Sequence, residues 1–193
     1  MLLRLVLLLI VTYFASSVNF SIVLFKILDK EDPRNKFSGN AGATNVYRQA
    51  GFFWAAIVLL LDMGRAMFIS LVSLHLLDYQ YTTFLGFALI LGNRFPCFHQ
   101  FKGGKGVANY LGFTLILAPF PTLIASLSWL LVFLLFRTPF ISSFVMVLIL
   151  GTGTVLRFSD HVPAMAATLS TVAFILINHR QNIIEFREKI SGK

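Results

Sequence analysis

Three polar segments in an otherwise apolar chain carry the residue types that could do chemistry. The first is Ser38-Gly39-Asn40-Ala41-Gly42-Ala43-Thr44-Asn45-Val46-Tyr47-Arg48. Its glycines allow positive φ and its asparagines tolerate it, so a tight, hydrogen-bonding loop is expected. Arg48 at its end can fork onto a phosphate or a carboxylate. Read alone, the segment is better taken as an interfacial turn closed by a snorkelling Arg. The second is Phe101-Lys102-Gly103-Gly104-Lys105-Gly106-Val107, running into an apolar helix. Gly103, Gly104 and Gly106 let a backbone approach an anion, the amides of the following helix would hydrogen-bond it, and Lys102 and Lys105 add charge. This is not a Walker A loop, which needs Gly where His99 stands and Ser or Thr at Gly106. A phosphate-binding loop and a flexible basic connection are both open readings. The third is Asn178-His179-Arg180-Gln181-Asn182. His179 and Asn182 stand three apart, on one face of a helix. They could turn together toward a substrate, or simply form a polar helix end.

Other chemistry finds no support. A single cysteine, Cys97, excludes an internal disulfide and a multi-cysteine zinc site, and the four histidines lack any HExxH-like spacing, so no metal or cofactor is expected.

The elements that must position these segments are membrane spans. The chain has 193 residues, of which 57% are hydrophobic and only 12% charged, against ~25% charged in a typical soluble domain. Mean hydropathy is +0.80. Apolar runs cover Leu5 to Leu28, Gly51 to Leu77, Tyr79 to Leu91, Val107 to Leu117, Pro119 to Phe136, Thr138 to Leu156 and Val162 to Ile177. Against ~20 residues per spanning helix, the third and fourth runs are short, and a re-entrant pair would serve as well. The first run is too long for a signal-peptide core and lacks a small-residue cleavage site, so it is kept as a span. One all-α integral membrane domain over residues 1–193 is expected, with seven transmembrane helices, some of them short.

The net charge of +8 suits nucleic acid, anionic lipid or a phosphorylated substrate, but is read first as cytoplasmic loop charge, with no nucleic-acid partner. Of 16 Lys and Arg, five lie between Lys26 and Arg48, three between Arg94 and Lys105, and four after His179. Even numbers of spans separate these three groups, so all can face the cytoplasm. Seven spans then place the N-terminus outside and the C-terminus in the cytoplasm. Inside the second span, Asp62 and Arg65 stand three apart. An interhelical structural ion pair is the preferred reading, and a proton or ion path the sharper alternative.

Taken together the three segments resemble the PlsY family, bacterial membrane glycerol-3-phosphate acyltransferases that use acyl phosphate. Ser38 through Arg48 matches the family's SGNxGATNxxR fully. Gly92, Phe95, Pro96, Phe98, Phe101 and Lys102 through Ala108 match its second motif, and His179 through Ile183 its HRxNI. Asp62 and Arg65 resemble its DxxKG, with Arg for Lys. The chain departs from the family at Asn93, where His is usual, at Asn109, where Thr is usual, and at Ser16-Ser17-Val18-Asn19, where the family shows Gly-Ser-x-Pro.

The resemblance implies a reaction: acyl phosphate and glycerol 3-phosphate give lysophosphatidic acid and inorganic phosphate, the first step of phospholipid synthesis, at the cytoplasmic face of the bacterial inner membrane. It implies Ser38, Arg48, Lys105, His179 and Asn182 as the catalytic set. Gly39, Asn40, Thr44, Asn45, Asn93, Lys102, Gly103, Gly104 and Gly106 would bind substrate or its phosphate, with Ser38 and Asn45 hydrogen-bonding a substrate oxygen or holding the loop. The acyl chain would lie among spans and membrane lipids. An activated donor needs no covalent enzyme intermediate, so Cys97 need not be a nucleophile. His179 and the donor's own phosphate are the rival bases, the phosphate being preferred, with His179 and Asn182 orienting. A transporter of phosphorylated metabolites and a non-catalytic binder are the competing classes.

Overall fold

The computed structural model describes residues 1–191; Lys193, counted above with the C-terminal charges, lies outside them, as does the side chain of Lys189. Ten α-helices follow in order: α1 Leu2–Ser17, α2 Phe20–Ile27, α3 Ala43–Ala50, α4 Phe52–Leu76, α5 Thr82–Arg94, α6 Val107–Leu117, α7 Pro119–Phe136, α8 Pro139–Arg157, α9 Val162–Ile177 and α10 Arg180–Ser191. There is no strand among the described residues. All seven apolar runs are helical. Four stretches are long and apolar enough to cross a bilayer: Leu2–Ile27 taken as one, α4, α7 and α8; α9 and α10, bent by 40°, make a fifth if joined.

The two short runs become inner helices. α5 has 13 residues and α6 has 11, so at 1.5 Å per residue they rise only about 20 and 17 Å, less than the ~30 Å hydrocarbon core. Leu85, Leu89 and Ile90 of α5 and Phe113 of α6 are among the most buried side chains. Small residues let their neighbours come close. A Cβ at Gly92 would strike Tyr13 and Ser16 of α1, and one at Gly112 would lie 2.5 Å from the Met63 carbonyl oxygen of α4. α7, by contrast, leaves Leu127, Leu131 and Leu135 exposed. In water such a face would be costly; against lipid it is not.

The first span is broken, which hydropathy does not reveal. Val18 is extended, and Asn19 caps α2, its Oδ1 accepting from the Ile22 amide at 3.1 Å. The carbonyls freed at the break find a partner in Arg65. Its Nη1 donates to Ala15 and Val18, while its Nη2 donates to Asp62 Oδ1 at 2.7 Å and to Asn109 Oδ1 at 2.8 Å. The guanidinium also lies over Phe20, 4.7 Å from the ring centroid. The ion pair itself lies within α4 and not between helices as expected; its structural role comes from the further bonds of Arg65, which tie α4 to α6 and to the α1–α2 break. Asn109 and Arg65, two departures from the family pattern, are hydrogen-bonded to each other.

Candidate active site

The first polar segment is half loop, half helix. Its loop ends at Gly42, and α3 carries Thr44, Asn45 and Arg48. The Gly and Asn content points to a loop throughout, but the chain turns helical from Ala43. Asn45 serves the loop itself. Its Nδ2 donates to the Pro33 carbonyl at 2.7 Å and to that of Lys36 at 3.2 Å, closing the chain that leads into Ser38. Asn19 at the break donates to the Ala41 carbonyl at 3.2 Å, so the first span also pins this loop.

The Gly103-Gly104 stretch is fastened to the C-terminal end of α5. The Gly103 amide donates to the Arg94 carbonyl at 3.1 Å and the Gly104 amide to the Asn93 carbonyl at 3.0 Å. These bonds satisfy carbonyls that a helix end leaves open. Gly104 must be glycine here: a Cβ would sit 2.7 Å from Asn93 Oδ1 and 2.9 Å from the Ala41 carbonyl oxygen. The first two polar segments meet at that point. A second clamp is Arg34, which pairs with Asp32 at 2.6 Å and donates to the His99 and Lys102 carbonyls at 2.7 and 2.9 Å. Nothing in the sequence singled it out. Gly106 has φ +90° and is the N-cap of α6.

The third segment sits at the bend between α9 and α10. His179 is 3% exposed, and its carbonyl accepts from the Ile183 amide at the start of α10. Its Nδ1 lies 2.9 Å from the Ile175 carbonyl oxygen. A carbonyl only accepts, so Nδ1 carries the proton and Nε2 keeps a lone pair. Burial, with the charges of Lys105 and Arg94, pushes the imidazole down to about 4 despite the Ile175 bond. It is neutral at pH 7. Asn182, one turn on, accepts a hydrogen bond from Lys105 through Oδ1. Burial pushes the Lys105 ammonium down to about 8; Glu185 holds it up and Arg94 and Arg48 push it further down.

All three segments face one cavity of about 670 Å³. Ser38, Asn40, Thr44, Arg48, Asn93, Gly104, Lys105, Gly106, His179 and Asn182 line it. Gly39 lines an adjoining polar recess. Asn45, Lys102 and Gly103 line neither; Asn45 and Gly103 hold the loops, and Lys102 is exposed. The first-turn residues of α3 and α6 both border the cavity, so free amides and positive helix ends converge where Arg48 and Lys105 stand. Leu59, Leu111, Trp129 and Met146 add an apolar lining, with Asp62, Asn109 and Ser143 among them. Glu185, Arg94 and Trp129 belong to this setting and were not anticipated. For Glu185 a signal existed, since it follows Asn182 by three on the same helix.

The fold and site define a multi-pass helical membrane protein with a cavity lined by cationic and apolar side chains together. The family model described as Glycerol-3-phosphate acyltransferase matches residues 6–189. The chain is 35% identical over 189 residues to a glycerol-3-phosphate acyltransferase of Pseudomonas fluorescens (strain Pf0-1), covering 97% of this chain and 96% of the relative. It is 32% identical over 188 residues to that of Neisseria gonorrhoeae (strain ATCC 700825 / FA 1090), covering 95% and 92%. The crystal structure of PlsY, an integral membrane glycerol 3-phosphate acyltransferase, in its glycerol 3-phosphate form is similar with a TM-score of 0.87 at 32% identity, over 97% of this chain and 92% of that one. Its lysophosphatidic acid form gives 0.83 at 31% identity. The chain belongs to the glycerol-3-phosphate acyltransferase family, and it is an acyltransferase of the PlsY type.

Proposed function

We propose that this chain transfers an acyl group from acyl phosphate to the 1-hydroxyl of glycerol 3-phosphate, giving lysophosphatidic acid and inorganic phosphate. The observation that carries the reading is a cavity lined by cations, helix amides and apolar side chains together. Such a cavity suits a donor with a phosphate head and a hydrocarbon tail. Arg48, Lys105 and the helix amides offset the repulsion between two phosphates and hold them in line for reaction. The acceptor hydroxyl oxygen attacks the acyl carbonyl carbon, the carbon–oxygen bond to phosphate breaks, and phosphate leaves. The hydroxyl proton goes to the departing phosphate. That group titrates near ~6 and is a stronger base than an imidazole held near about 4. His179 instead accepts the hydroxyl's hydrogen bond at Nε2 and orients it. Asn182 holds Lys105, and Ser38 hydrogen-bonds a substrate oxygen.

Support for the orientation comes from the basic groups, which suit seven spans with the N-terminus outside and the three polar segments in the cytoplasm of a bacterial inner membrane. The buried ion pair bonded to Asn109 and to helix carbonyls gives a transport reading nothing to work with. The test is phosphate release by purified protein from acyl phosphate. Release only when glycerol 3-phosphate is present is expected; release without it, or none, would refute the reaction. Single cysteines at Ser38 and Asp78 should be labelled from the cytoplasmic and outer sides respectively, and the reverse would overturn the orientation.

A further inference from the structure

Beside the main cavity lies a recess of about 260 Å³. It shares Ser38, Lys105, Asn182 and Glu185 with the cavity and adds Arg94 and Arg180. Every residue lining it is polar, charged or glycine, so it offers nothing to a hydrocarbon chain. Three cations, Arg94, Lys105 and Arg180, stand against one carboxylate, Glu185. None of the four is in an ion pair among the described residues. The Arg94 Nε is buried without a hydrogen-bond partner. A surplus of about two positive charges matches a phosphate monoester, which carries about −1.5 to −2 near pH 7. The field of Arg94 also reaches the centre, since it lowers both Lys105 and His179. The neighbouring Asn93 is neutral, so Arg94 is the cation at this end of α5.

The two substrates differ in shape. Of the two, only the main cavity has apolar side chains in its lining, so the acyl donor belongs there. The acceptor has no chain and fits the polar recess. We propose that Arg94, together with Arg180, is an acceptor-binding residue that holds the phosphate of glycerol 3-phosphate in this recess. The proposal rests on the reaction assigned above. It gives Arg94 a role in positioning the acceptor but none in the acyl donor's affinity.

The test uses the full chain in lipid nanodiscs, varying each substrate in turn. Arg94→Gln should raise the KM for glycerol 3-phosphate about 10- to 100-fold, the loss of a charge-assisted contact, with kcat largely kept and the KM for acyl phosphate within about twofold. Arg94→Lys should recover part of the loss, because a point charge returns without the fork. An unchanged KM for glycerol 3-phosphate in folded Arg94→Gln, or a rise in the donor KM alone, would overturn the proposal. If the wild type transfers no acyl group, the assigned reaction fails. Calorimetric titration of glycerol 3-phosphate into wild type and Arg94→Gln then still decides the recess, equal affinities refuting it.

Discussion

Raising the pH through the titration of Lys105 should weaken substrate capture before anything unfolds. The ammonium falls from 10.5 to about 8. For a single group with that value, about nine-tenths is charged at pH 7 and about one-tenth at pH 9, so kcat/KM should drop about tenfold between them. The ceiling is the worth of one charge-assisted hydrogen bond, ~1.5–3 kcal/mol, or about 10- to 150-fold. Bound phosphate holds the proton on Lys105, so the alkaline limb of kcat itself should lie at higher pH. Lys105→Arg keeps a charge at all these values and should lose the limb. Glu185 raises the Lys105 value, so Glu185→Gln should bring the limb below 8. Stability moves the other way. The folded value lies below the unfolded one, so between about 8 and 10.5 the unfolded chain binds more protons, and the ligand-free protein gains on the order of 3 kcal/mol from this group as pH rises. Steady-state rates from pH 6 to 10 beside melting temperatures check both signs. An alkaline limb that stays in place in Lys105→Arg would refute the reasoning.

Cys97→Ser should keep most activity, because direct transfer needs no thiol; a trapped acyl-cysteine would refute the direct route. Asn93→His should show no gain on the acid side of the pH–rate profile if position 93 only holds Gly104, whereas a large gain below pH ~6.5 would make its charge functional. Arg65→Ala should destabilise by about 3–5 kcal/mol, since it strands Asp62 and the carbonyls of Ala15 and Val18. Thermal unfolding in detergent should show Arg65→Lys closer to wild type.

The apolar runs could be read from the sequence because the bilayer sets the length of a helix. The two-residue break at Val18 and Asn19 could not, since hydropathy averages over windows far wider than two residues. The three polar segments stood out by composition, and the structure brings them together at one cavity. Composition does not separate a residue that touches ligand from one that holds the loop. Asn45 spends its amide on Pro33 and Lys36, while Asn40, five residues earlier in the same segment, lines the cavity. Lys102 and Lys105 look equivalent in Lys-Gly-Gly-Lys, yet only the second is drawn inward, because Gly103 and Gly104 are fastened to α5 between them. Arg94 and Arg34 escaped notice because a lone arginine in a basic segment carries no pattern.

The break in the first span also has a consequence for biogenesis. Its carbonyls are bonded by a side chain 47 to 50 residues further on. At about 5–20 residues per second the ribosome needs roughly 2–10 s to make that stretch. Through that interval an open turn inside the bilayer would cost several kcal/mol. The nascent first span is therefore expected to enter as one continuous helix, and to bend at Val18 only when Arg65 arrives. Distance measurements on chains stalled before and after residue 65 would register the change.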